Sequence, residues 1–360
     1  MIGVYIHIPY CRTVCPYCDF VKRQTNGSVP DAFLSALEKE IRAHEGDAEA
    51  DSIFLGGGTP SLLEAASLDR VLSAIRSTFD LTSDAEISLE ANPDDVTVDL
   101  VHAWRSLGVT RVSLGVQSFD DRVLQYLGRR HDAPKAIEAC AIVANAFDNW
   151  NIDLMFGAPP AEAWRDTLRI CASMGSTHVS AYGLTYEAGT PFGKRKNEAI
   201  DDESYLDLYH AIPESLQGVR QYEVSNYAAP GFECRHNLRY WHNEEYAALG
   251  PGAVSFLGGR RARNHAKVED YLNDPGGKCE VHCLTEDEIR LETLIQHFRL
   301  AAGLPKQYYQ DRFGAPVADH YGDPIERLMG EGLLQQNDSA IFPTNKGFDL
   351  NNEIGLALVS

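Results

Sequence analysis

The chain has 360 residues, 44% hydrophobic and 23% charged, an ordinary globular composition with room for a large core and more than one domain. Its 32 Lys plus Arg face 52 Asp plus Glu, a formal charge of −20; this disfavours nucleic-acid binding, which rests on neutralising phosphates with basic side chains. No apolar run approaches the length of a membrane span, and residues 1–8 lack the basic start and apolar core of a signal peptide. A cytoplasmic protein is expected.

The first strand, VYIHI (4–8), runs into CRTVCPYCDF. Cys11, Cys15 and Cys18 there have C-x3-C-x2-C spacing, one thiolate short of a closed tetrahedral site. Thiolates suit iron–sulfur clusters or zinc. Three of them on a cubane cluster would leave one iron open to a small molecule. A zinc site would pair Cys15 and Cys18 with Cys279 and Cys283, but the second spacing is wrong for a zinc knuckle. Scattered single cysteines fit a reduced compartment better than a disulfide framework.

Further strand-like runs follow: SIFLGG (52–57), EISLEAN (86–92), RVSLGVQ (111–117), NIDLMFG (151–157) and HVSAYGL (178–184). Between them, residues 30–46 place Phe33, Leu34, Leu37 and Ile41 on one helical stripe, and residues 67–79 and 96–107 behave alike. Pro134 and Asp166 lie near the starts of later helices. Six strand–helix alternations argue a parallel sheet with crossover helices. Polar residues gather at the C-terminal strand ends, where parallel barrels build their sites; a doubly wound open sheet is the architectural alternative. The GGGTPS loop (56–61) exposes backbone N–H groups that can hold a carboxylate, and it lacks the Gly-Lys-Ser/Thr of a P-loop. Residues 187–280 are rich in Gly, Pro, Tyr and Asn. Thr285 and Glu288 open a helix with a capping box, a second helix covers 324–333, and the alternating runs LLQQN and AIFPT suggest a winged-helix-like module.

The cysteine triplet, with Tyr17 before its third member and a GGTP loop after the second strand, resembles the radical S-adenosylmethionine superfamily. The resemblance implies a partial parallel (β/α)6 barrel with a small C-terminal winged-helix-like α+β module. It implies a 4Fe–4S cluster on Cys11, Cys15 and Cys18, and S-adenosylmethionine held by Tyr5, Tyr17, Gly57, Gly58, Thr59, Glu90, Gln117, Arg129 and Asp153. VYIHIPYC, FLGGGTPS, SLEANPD, RVSLGVQSF, GRRH and NIDLMFGAP together resemble the oxygen-independent coproporphyrinogen oxidase family over essentially the whole chain. Two departures, Phe20 where the oxidases have a fourth cysteine and a short segment before the first strand, point to the heme-chaperone branch. ECRHNLRYW (233–241) agrees: His236, Asn237, Tyr240 and Trp241 form the HNxxYW motif associated with heme in that branch. A neutral imidazole is a good axial ligand and aromatics can cover a porphyrin face; Cys234 is a rival ligand, His131 and His265 weaker ones, and Arg235 or Arg239 would meet a propionate.

The implied organisation is a barrel core over 1–186, a barrel extension with the heme motif over 187–284, and the small module over 285–360. The implied function is binding heme and passing it to respiratory apo-proteins. The alternative is a radical oxidoreductase acting on a tetrapyrrole, and the departures argue against coproporphyrinogen oxidase activity. A peripheral membrane association and a homodimer stay open.

Overall fold

A computed structural model describes residues 1–44 and 49–359. Six strands follow the chain: β1 (Ile2–Ile8), β2 (Glu49–Gly57), β3 (Asp80–Ala91), β4 (Arg111–Gln117), β5 (Trp150–Phe156) and β6 (His178–Gly183). They lie side by side in that order and pair in parallel. Apolar residues alternate with polar or small ones along each. Val4, Ile6, Ile8, Ile53, Leu55, Leu89, Val112, Leu114, Ile152 and Leu154 form one core with Phe33, Leu37, Leu68, Val71 and Ile75 of the helices Asp31–Arg42 and Ala65–Thr78. Period-two alternation sends the intervening residues, such as Ser52, Glu90, Ser113 and Asp153, to the opposite face. The covered face is therefore an ordinary core, and the inner face is polar.

The sheet goes on beyond those six. β7 (Arg220–Gln221) and β8 (Asn226–Ala228) add antiparallel at the β6 edge. At the other edge β9 (Tyr246–Leu249) lies parallel to β1, a seventh parallel strand, with β10 (Val254–Leu257), β11 (Arg260–Asn264) and β12 (Lys278–Cys283) antiparallel beyond it. A four-residue strand is too short for periodicity to register, so the sequence reading lacks β9. Strand order is linear among the described residues, so the barrel is partial. Of the expected helix over 30–46, the structure gives Asp31–Arg42; residues 45 and 46 lie outside the described residues.

Buried Glu40 clamps the extension to the core. Its carboxylate accepts from Gly250 N (2.8 Å), Asn264 Nδ2 (2.7 Å) and Tyr271 Oη (2.6 Å). The C-terminal residues have their own core, including Leu294, Phe298, Tyr309, Leu328 and Ile354. The capping box of Thr285 and Glu288 is formed. A three-stranded sheet of Leu304–Pro305, Leu334–Gln336 and Ala340–Pro343 packs with these helices. No helix among the described residues is long and apolar enough to cross a membrane.

Candidate functional site at the C-terminal mouth of the barrel

The cysteine loop leaves β1 and folds over the C-terminal ends of the strands. His7, on the inner face of β1, anchors it: Nε2–H donates to Val21 O (2.7 Å). A carbonyl only accepts, so Nε2 carries the proton, and Nδ1 takes the hydroxyl of Tyr5 (3.0 Å). Cys11, Cys15 and Cys18 are free and half-buried, and all three line a cavity of about 480 Å³. Burial pushes the Cys11 and Cys18 thiols up. Among the described residues no three His, Cys, Asp or Glu side chains stand as ligands of one metal ion. Cys279 and Cys283 lie on β12, the outermost strand, with three strands between it and β1; they do not complete a site with Cys15 and Cys18.

Opposite the cysteines, the glycine loop forms a cradle. Gly57 has φ +106°, and a Cβ there would sit 2.4 Å from the His7 ring. A Cβ on Gly58 would meet Ile8 O at 2.7 Å. The backbone passes too close to β1 for side chains. Gly57 N–H donates to Glu90 Oε2 (3.0 Å), and Asn92 Nδ2 to Thr59 Oγ1 (3.2 Å). Arg129 donates from Nη2 to Asn92 Oδ1 (2.6 Å) and Gly115 O (2.8 Å), and from Nη1 to Cys15 Sγ (3.4 Å). Its Nε is buried and has no partner among the described residues. Gln117 ends β4 with φ +68°, a conformation that costs a non-glycine residue energy and clusters at functional sites.

Two carboxylates share the chamber. Burial, with Asp153 nearby, pushes Glu90 up to about 7. Burial also raises Asp153, against hydrogen bonds from Ser113 and Asn151. The structure thus brings Tyr17, Gly57, Gly58, Thr59, Glu90, Gln117, Arg129 and Asp153 to the cavity of the three cysteines. Tyr5 lies outside the cavity lining, deeper in the barrel, in a cluster of three rings with Phe54 and His236. Phe20 stands at the mouth, 64% exposed. These residues fit a cluster and a cationic, amino-acid-bearing cofactor: three thiolates, a backbone cradle, two half-buried acids and an orphaned guanidinium N–H.

The HNxxYW segment sits at the opposite end. It forms the short helix Arg235–Trp241, placed against Gly3 near the start of β1 and against Ser52 and Glu86, which lie with Gly3 in one register layer across β2 and β3. His236 is fully buried; Nδ1 lies 3.1 Å from Ser52 Oγ and Nε2 2.8 Å from Tyr240 Oη. Burial lowers it to about 3. Tyr240 meets His236 edge-on, whereas Trp241 lies under Arg299, so the two aromatics do not share one face. Arg239 is paired with Asp51 and Glu244, and Arg235 with Asp84; the expected propionate partners are engaged. Asn237 is half-buried. Burial pushes the Cys234 thiol up to about 12. His131 Nε2–H donates to Val116 O (3.0 Å), near the end of β4. The motif here closes the floor of the barrel, an arrangement set by tertiary packing that its spacing did not announce.

A partial parallel barrel with three cysteines over an acid-lined chamber defines a protein of the radical SAM class. The radical SAM superfamily pattern matches residues 5–171, and the HemN C-terminal domain matches residues 284–350. The fold resembles that of coproporphyrinogen III oxidase (HemN) from Escherichia coli, described as a radical SAM enzyme, with TM-score 0.85 and 23% identity over 99% of this chain and 89% of that one. Heme chaperone HemW of Bacillus subtilis is 32% identical, covering 98% of each chain. Heme chaperone HemW of Escherichia coli is 39% identical over 73% of this chain and 72% of its own. The chain belongs to the HemW family of radical SAM proteins.

Proposed function

We propose that this protein is a heme carrier that hands heme to respiratory apo-proteins, and that it holds a 4Fe–4S cluster on Cys11, Cys15 and Cys18 with S-adenosylmethionine beside it. The observation that carries the reading is the full-length similarity to HemW of Bacillus subtilis, named a heme chaperone. The cavity geometry supports the cofactors. Glu90 and Asp153 supply negative charge for an ammonium and a ribose, the Gly57–Thr59 backbone supplies a close polar wall, and Arg129 supplies a guanidinium for a carboxylate. Bound together, the cluster and S-adenosylmethionine can supply one-electron radical chemistry. Cytoplasmic free thiols and the three-part division at 186 and 284 belong to the same proposal, with peripheral membrane contact and a homodimer as extensions of it.

The heme site is proposed at the HNxxYW helix with His236 as axial ligand. Its burial requires that the helix leave the barrel floor before heme is bound. The test is a heme titration of anaerobically reconstituted protein, followed by transfer to a respiratory apo-protein. A Soret shift in the wild type and its alteration in His236→Ala are expected. Unchanged affinity and spectrum in that variant would remove the axial role, and no Soret shift in the wild type would remove the carrier reading. Incubation with coproporphyrinogen III, S-adenosylmethionine and reductant should leave the substrate's carboxyl groups intact, since Phe20 stands where a fourth cysteine would. Decarboxylated product would restore the oxidase reading. Colourless protein with stoichiometric zinc would refute the cluster.

A further inference from the structure

Asp153 is held from below by a buried, directional chain of side chains. Asn151 Nδ2 donates to Asp153 Oδ1 (2.7 Å) and to Ser113 Oγ (2.7 Å). Ser113 then donates to Asp153 Oδ2 (3.1 Å). The carboxylate only accepts, so the Asn151 amide has one orientation, with Oδ1 facing away from Asp153. That oxygen takes His178 Nδ1–H (2.6 Å) and Ser180 Oγ–H (3.2 Å). With Nδ1 protonated and the ring neutral, His178 Nε2 accepts from Tyr222 Oη (2.9 Å). The Tyr222 oxygen in turn accepts from the amide of Cys234 (3.3 Å), the residue that opens the HNLRYW helix. Ser113, Asn151, His178 and Ser180 are each at most 5% exposed. Every donor direction follows from the ends: a carboxylate at one, a backbone N–H at the other.

We propose that Asn151 and His178 are positioning residues that orient the Asp153 carboxylate in the cofactor chamber, with His178 setting the amide orientation of Asn151. This rests on the reading of the chamber as an S-adenosylmethionine site. Reversing the amide would aim Oδ1 at the carboxylate and leave a buried N–H without an acceptor at His178. The imidazole forbids that reversal because its Nδ1–H needs the oxygen. An isosteric ring without that donor would leave the amide held only by the carboxylate on one side and the Ser180 hydroxyl on the other.

The test uses reconstituted full-length protein with its cluster, and calorimetric titration with S-adenosylmethionine. His178→Phe keeps the ring volume and loses the Nδ1 donor, and it should weaken binding about tenfold, the scale of one charge-linked hydrogen bond. His178→Asn can still donate to Asn151 Oδ1 and should recover most of the loss. In an Asp153→Asn background, His178→Phe should add little, because its effect runs through the carboxylate. Iron content and melting temperature serve as the folding check. If His178→Phe does not fold, Tyr222→Phe, which loses one hydroxyl, carries the same cycle with a smaller loss. Wild-type-like affinity in the folded ring variants, or a loss that multiplies independently of Asp153, overturns the positioning role. No binding by the wild type overturns the cofactor reading along with it, which separates the two failures.

Discussion

At the scale of single residues, the chamber's charge is the exposed point. Glu90 has its folded-state value raised to about 7. Such a group contributes stability that is fully present below its unfolded value and is lost as pH rises through 7. Without a bound cation, Glu90→Gln should therefore raise stability at pH 8 by about 1–3 kcal/mol and change little at pH 4.5. Urea denaturation of cluster-free protein at the two pH values measures it; equal effects at both would show that Glu90 is not strained by burial. His236 is the second point. Its ring stacks on Phe54 at 5.4 Å and bonds at both nitrogens, so His236→Ala should cost about 2–4 kcal/mol. A loss below the error of the denaturation fit would mean that the ring does not support the barrel floor. The cysteine triplet was legible because its ligand spacing is local. Asn151 and His178 were not, since their partners are fixed by the strand register that sets Asn151 opposite His178.

At the scale of elements, the alternating strands and their helices were readable from periodicity, whereas the joint between core and extension was not. Glu40 looks like a surface charge on an amphipathic helix. Only tertiary structure turns it inward to meet Gly250, Asn264 and Tyr271. Glu40→Ala would leave those three donors unsatisfied, at about 2–5 kcal/mol. Hydrogen exchange should speed up through Tyr246–Asn264 while β3 to β5 stay protected. Uniform change across the sheet would mean that the clamp is not local. His7 plays a like part for the cysteine loop through Val21 O. The glycine at 57 is required there because φ is +106° and the ring fills the space a Cβ would take.

At the scale of the molecule, three histidines buried in different regions act together on acid stability. Burial lowers His236 to about 3, and His131 and His297 to about 4, from an ordinary 6.5. The unfolded chain binds protons at these sites below 6.5 and the folded one does not, so stability is present above that value and lost as pH falls. Each should cost about 2 kcal/mol at pH 5; His7 and His178, also lowered by burial, add to that loss, and the raised acids Glu90, Asp153, Glu40 and Glu223 return a part of it, so stability should fall between about pH 7.5 and 5. Urea midpoints across that range test the sum, and a midpoint that rises on acidification would contradict it.

The sequence alone determined the order of strands and helices, the cysteine triplet, the glycine loop and the strand-end acids, because each is written in local spacing. The tertiary structure decided which of them meet. Chain order carries no information on which end of the barrel a distant segment closes. Only the docking of Arg235–Trp241 against Gly3, Ser52 and Glu86 put the HNxxYW motif at the floor, away from the cysteines at the mouth.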